Sequence, residues 1–216
     1  MKKNYGDDSL LQGTSSELPK TECISACSLG SLTFKREAKN NADLTPQRKS
    51  SQKRRILGID PGLASTGWGV IDEVGSRIVH IAHGVIETTN QVEHQVRLLE
   101  IYNHILNILR EYKPDEASME ALYFAKNVTS GLAVAESRGV ITLCLAQNAV
   151  PLSEYSPLSI KQCVVGSARA EKKHVQQYVK ILLGLTQIPN PNHAADALAV
   201  AITHTMNAST VLEFCR

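Results

Sequence analysis

The hydrophobic pattern switches from strand-like to helical period just past Thr88, and that change restricts the folds open to the chain. Arg55-Ile56-Leu57-Gly58-Ile59-Asp60 is a short apolar run stopped by Pro61-Gly62, the pattern of a buried strand ending at a turn. Two more strands are predicted at residues 66–74 and 77–88, joined through Gly75-Ser76 at hairpin distance. Val92, Val96, Leu99, Tyr102, Leu106 and Leu109 then recur every three or four residues, marking an amphipathic helix that Lys113-Pro114 ends. A strand at 116–120, a helix at 129–148 and a strand at 150–155 follow. Helices at 170–183 and 194–206, separated by Pro189-Asn190-Pro191, complete the domain. Strands that meander pair antiparallel, and strands joined through a helix pair parallel by a right-handed crossover. The expected α/β fold is therefore a mixed five-stranded sheet, three antiparallel strands then two parallel, flanked by helices.

Residues 1–54 carry neither period and are rich in Ser, Lys, Asn and Thr, so they are expected to form a disordered basic extension to a domain at 55–207, with a short tail at 208–216. Residues 1–55 hold 11 Lys/Arg against 6 Asp/Glu, whereas the remainder holds 12 against 15, a net of −3. The extension ends in the basic run from Gln47 to Arg55, which suits nucleic-acid phosphates and equally suits a solvated linker. A third reading places the true start downstream, although the next methionine after Met1 is Met119. Five cysteines, an odd number, do not make a disulfide framework, and Cys23-x-x-x-Cys27 lacks the second ligand pair of a zinc site. With neither a secretory signal nor a bilayer-spanning apolar run, the expected compartment is the cytoplasm.

In such sheets ligands gather outside the carboxyl ends of strands, next to the switch in strand order. Asp60 ends the first predicted strand and Glu120 ends the fourth, its first available parallel neighbour. Two carboxylates at adjacent strand ends suit a hard cation such as Mg²⁺. His193 and Asp196 are three apart at the start of the last helix, and the surrounding alanines would let that helix approach the sheet closely. An aspartate there serves either the cation site or the helix's own backbone N–H groups.

Four blocks now meet a family. Gly58-Ile59-Asp60-Pro61-Gly62, Met119-Glu120 with Tyr123-Phe124-Ala125-Lys126-Asn127, Lys161-Gln162-Cys163-Val164-Val165-Gly166, and His193-Ala194-Ala195-Asp196-Ala197-Leu198-Ala199 with Ile202-Thr203-His204 closely resemble RuvC, the bacterial Holliday-junction resolvases. The resemblance implies a ribonuclease H-like fold, a homodimer, and Mg²⁺-dependent nicking of two opposing strands at a four-way DNA junction, with two ions per site and Mn²⁺ as an alternative. It also implies contact with the branch-migration proteins RuvA and RuvB. By position, Asp60, Glu120 and Asp196 match three of the family's four metal-site residues, and the fourth falls on His193, as a ligand or as a proton-moving group. Asp60 is the expected bridge between ions. Two cations about 4 Å apart can activate a water and stabilise a leaving oxygen.

A domain of net negative charge acting on DNA must concentrate its basic residues, and Lys161, Arg169, Lys172, Lys173 and Lys180 fall within 20 positions. By resemblance Lys161 and Lys172 are phosphate contacts, and Tyr123 is a stacking residue for an unpaired base. Lys173 and Lys180 read as a solvated helix face, and Phe124 as core. Two departures stand out: Ala121 replaces a residue that is often Gln in the family, and the carboxyl end lacks a basic tail. Competing readings are a YqgF-type nuclease acting on ribosomal RNA precursors, an actin-like ATPase and an inactive junction-binding protein. The spacing and the Tyr123-Phe124 and Lys161 blocks disfavour the first; the lack of a second glycine-rich phosphate loop disfavours the second. The intact Asp60, Glu120 and Asp196 disfavour the third.

Overall fold

The computed structural model of the chain describes residues 53–122 and 128–214. Strands β1 (Arg54–Asp60), β2 (Ser65–Val74) and β3 (Arg77–Glu87) are followed by α1 (His94–Tyr112), β4 (Glu116–Glu120), α2 (Val128–Gln147), β5 (Leu152–Tyr155), α3 (Pro157–Val165), α4 (Lys172–Leu182) and α5 (Asn192–Phe214). The sheet order is β3-β2-β1-β4-β5. β1 pairs antiparallel with β2 and parallel with β4, and β4 pairs parallel with β5, as the alternation of hairpin and crossover connections requires. Gly75, at φ 62°, makes the β2–β3 turn that a side chain would strain.

One apolar layer joins the sheet to α1 and α2 through Leu57, Ile59, Met119, Ile101, Ile105 and Ile141. The opposite layer joins it to α3, α4 and α5 through Ile56, Ile71, Ile160, Val179, Leu198 and Ile202. Asp60, Glu120 and α5 belong to this second side. α5 lies close because β1 and β2 present glycines to it: a Cβ on Gly58 would sit 2.1 Å from the carbonyl oxygen of Ala197, and one on Gly67 would sit 2.0 Å from that of His193.

Four expectations need correction, the last being the end of the final helix. α3 is a third helix after β5, where the sequence predicts two. Its nine residues are too few to show a period, yet its ends are written in the sequence. Ser156 caps it by accepting a hydrogen bond from the Ser159 N–H at 3.0 Å, Pro157 begins it and Gly166, at φ 81°, ends it. The buried stripe of α1 is also displaced. Ile101, Ile105, Ile108 and Leu109 are buried, while Val96 and Leu99 are exposed and Val92 precedes the helix. Apolar residues cover so wide an arc of α1 that periodicity leaves its inner face undetermined.

The third correction concerns the basic run before β1. The strand begins at Arg54, which is buried and pairs with Glu73 and Glu116. Arg55 forms a two-bond ion pair with Asp72 (2.7 and 3.0 Å), its register partner on β2, and Lys53 reaches the same carboxylate at 2.7 Å. These three cations are thus held by carboxylates of the sheet rather than left for phosphates. α5 continues to Phe214, past the expected end at 206. The remainder of the extension, including Cys23 and Cys27, lies outside the described residues, as do Tyr123, Phe124 and Cys215. Cys144 and Cys163 are both free thiols. No described helix is long and apolar enough to cross a membrane.

Candidate active site

The parallel register pairs Ile59 with Met119, so Asp60 and Glu120 emerge side by side at the carboxyl ends of β1 and β4. α5 starts above this point. Its alanine-rich face against Gly58, Gly67 and the neighbouring Gly69 brings His193 and Asp196 over the strand ends. All four residues line one cleft of about 400 Å³, together with Lys161 from α3 and Lys172 from α4. A second cleft of about 250 Å³ shares Asp60 and Glu120 and adds Arg138 of α2. Every described member of the expected set therefore meets in one place.

His193 Nδ1 lies 2.8 Å from Asp60 Oδ2, and Lys172 Nζ donates to Asp196 Oδ2 at 2.5 Å. Ligand atoms of Asp60, His193 and Asp196 all lie within 4.8 Å of one another. An octahedral Mg²⁺ with bonds of about 2.1 Å spans about 4.2 Å between opposite ligands, so small side-chain movements would close these three around one hard ion. Glu120 stands in the same cleft outside that closest group.

The charges are under strain. Burial, then the negative charges of Asp60 and Asp196, push the Glu120 carboxyl up to about 7, against the opposing pull of Lys172 and Lys161. Burial also raises Asp196, with Lys172 opposing it. The hydrogen bond to Asp60 raises His193, favouring its charged form. Crowded carboxylates that resist ionising together are what a divalent cation would relieve, so the donor set fits a hard metal ion.

Arg138 was not singled out from the sequence. Its guanidinium donates to the backbone carbonyl of Glu120 and pairs with Glu154 at 2.6 Å, bracing the end of β4. Nothing in the spacing of α2 distinguishes this arginine. Lys172 departs from a purely solvent-facing phosphate contact, because its ammonium group already sits on Asp196. The glycines Gly67 and Gly69 on β2, facing α5, carried a signal: two glycines at period two mark a close approach of another backbone.

Comparison with known proteins agrees with this geometry. Residues 56–204 match the family model described as crossover junction endodeoxyribonuclease RuvC. The crossover junction endodeoxyribonuclease RuvC of Treponema denticola is 49% identical over 155 residues, covering 72% of this chain and 87% of the relative. Among solved structures, Thermus thermophilus RuvC in complex with a Holliday junction substrate superposes with a TM-score of 0.69 at 30% identity, covering 72% of this chain and 94% of that one. The yeast mitochondrial Holliday junction resolvase Ydc2, at 16% identity and a TM-score of 0.56 over 75% of this chain and 83% of that one, shares the fold. With its ribonuclease H-like sheet and its cleft of acidic residues at the strand ends, the chain belongs to the RuvC family of crossover junction endodeoxyribonucleases.

Proposed function

We propose that the chain resolves four-way DNA junctions by paired, Mg²⁺-dependent nicks, and that Asp60, Glu120, His193 and Asp196 are its metal-site residues. The observation that carries this reading is the convergence of these four side chains, from three separate elements, in one cleft rimmed by Lys161 and Lys172. When bound, two Mg²⁺ ions supply an activated water and stabilise the leaving oxygen of the scissile phosphate. Asp60, on the central strand, would contact both ions, and Glu120 and Asp196 would hold one ion each. His193, tied to Asp60, either completes the ligand set or carries a proton at its ring nitrogen.

Lys161 and Lys172 neutralise phosphates at the mouth of the cleft, and Tyr123 stacks on an unpaired base near the nick. The enzyme acts as a homodimer in the cytoplasm, and α2, which leaves Leu132 57% and Leu143 55% exposed, is the proposed seam. RuvA and RuvB are proposed as partners on family likeness.

The test is incubation of the purified chain with a mobile four-way junction, with and without Mg²⁺, beside Asp60→Asn and Asp196→Asn. Wild type gives paired, ligatable nicks only with Mg²⁺, and all three proteins bind the junction. Undiminished cutting by Asp60→Asn removes the mechanism. His193→Ala cuts far more slowly with binding intact; an unchanged rate removes His193 from the site.

A further inference from the structure

On the α5 side of the sheet, three side chains form a hydrogen-bonded chain that joins α5 to β4 and β5, starting from Tyr155, the register partner of Glu120. Tyr155 Oη lies 2.8 Å from His204 Nδ1, and His204 Nε2 lies 2.5 Å from Glu116 Oε2. Arg54 Nη1 donates to both oxygens of Glu116 at 3.2 and 3.0 Å, and His204 is buried. A carboxylate only accepts, so Nε2 donates; in the neutral ring Nδ1 then accepts, and the tyrosine hydroxyl donates to it. Each member has one role in a directed chain.

The rest of the seam between α5 and β1–β2 mixes small residues, Gly58, Gly67 and Gly69 on the strands and Ala197 and Ala201 on the helix, with the buried apolar side chains of Leu198 and Ile202. Apolar packing is non-directional, whereas a hydrogen bond between fixed partners sets a position along the helix. Among the described residues, hydrogen bonds join α5 to strand residues at both ends of the seam, from His193 to Asp60 at the cleft and from His204 to Glu116 at the far end. The first of these involves groups that a metal ion would claim. α5 runs antiparallel to β4: its start lies over the strand ends, and His204 lies over the start of β4. Asp196 to His204 spans about 12 Å of helix, and Glu120 to Glu116 about 13 Å of strand. Anchoring His204 on Glu116 therefore sets Asp196 beside Glu120.

We infer that the Tyr155–His204–Glu116 chain is a positioning element that fixes the lengthwise register of α5 on β4, and with it the separation of Asp196 from Glu120. The inference rests on the proposed reading of those two carboxylates as metal-site residues. A slip of one helical residue displaces Asp196 by about 1.5 Å, and a misplacement of about 1 Å can cost on the order of 100-fold in rate.

The test compares wild type with His204→Leu, His204→Gln and Tyr155→Phe, measuring kcat and KM on a four-way junction, Mn²⁺ binding by calorimetry, and thermal melting. His204→Leu is expected to lower kcat by about tenfold or more and to weaken Mn²⁺ binding, with KM within about twofold. His204→Gln, which keeps an N–H donor for Glu116, recovers most of the loss. Tyr155→Phe, which removes only the hydroxyl, shows a smaller loss in kcat and in Mn²⁺ affinity. If His204→Leu does not fold, Tyr155→Phe decides: wild-type kcat and Mn²⁺ affinity in that variant overturn the inference. So does a His204→Leu that melts earlier yet keeps both quantities. Failure of wild type to nick the junction would remove the functional reading instead, and the Mn²⁺ titration would still decide the positioning role.

Discussion

Adding one methyl group at Gly67 should cripple the site while sparing the fold. Gly67 is the register partner of Asp60, and a Cβ there would lie 2.0 Å from the carbonyl oxygen, 2.4 Å from the carbonyl carbon and 3.0 Å from the Cβ of His193. Since Cβ atoms essentially never approach within 3.0 Å of a neighbour, the start of α5 must retreat by about 1 Å. The clash is with backbone, so no rotamer change relieves it. Overpacking of this kind costs about 1–3 kcal/mol, offset by up to about 1 kcal/mol because alanine restricts the unfolded chain. A net loss of about 1–2 kcal/mol corresponds to a fall in Tm of roughly 2–8 °C for a domain of this size. The larger effect is functional. His193 and Asp196 move away from Asp60 and Glu120, and displacement by about 1 Å costs up to about 100-fold in rate. Melting of Gly67→Ala by circular dichroism, with single-turnover junction cleavage, measures both. A variant that melts several degrees early but cuts within twofold of wild type would refute the claim that this glycine sets the height of α5 over the cleft.

Two further outcomes follow from the ion pairs. Lys172→Met frees Asp196 from its ammonium partner, so calorimetry should show tighter divalent-cation binding while junction affinity falls; unchanged cation affinity would mean that the pair does not compete with the metal. Asp72→Ala leaves Arg55 without its partner and should cost about 3 kcal/mol in chemical denaturation; a loss under 1 kcal/mol would place the stabilisation of β1 elsewhere. The same pair predicts a pH dependence. Burial pushes the Asp72 carboxyl up, but hydrogen bonds from Arg55 and Lys53 more than offset it, so its pKa lies below the usual value. In Glu116 burial is likewise outweighed, there by His204 and Arg54. A depressed carboxyl stabilises the fold above its unfolded pKa of about 4 and loses that contribution as pH falls through the folded value. The Tm difference between wild type and Asp72→Asn should therefore be full at pH 6 and shrink below about pH 4; a gap that persists at pH 2 would rule out the ion pair as its source.

The carboxylates proposed for the metal site stand out along the chain because each has a distinctive local context. Asp60 ends an apolar run before Pro61-Gly62, Glu120 ends a short strand, and Asp196 interrupts an alanine-rich helix. The pairing senses followed from the connections, since strands joined by a short turn pair antiparallel and strands joined through a helix pair parallel. What sequence periodicity alone did not decide was which face of α1 turns inward, because its apolar arc is wide enough to serve two orientations.

Tertiary structure alone decided the partners. The chain order says nothing of Lys172 meeting Asp196 across 24 positions, of Arg138 reaching the Glu120 carbonyl, or of His204 joining Glu116 and Tyr155. The contacts made by α5 depend on how closely it settles on the sheet, a distance fixed by the missing side chains of Gly58 and Gly67. Hydrophobic pattern and turn chemistry act within a few residues and so determine elements and their order. Charges and hydrogen bonds in the cleft act through space, and only packing assigns them to one another.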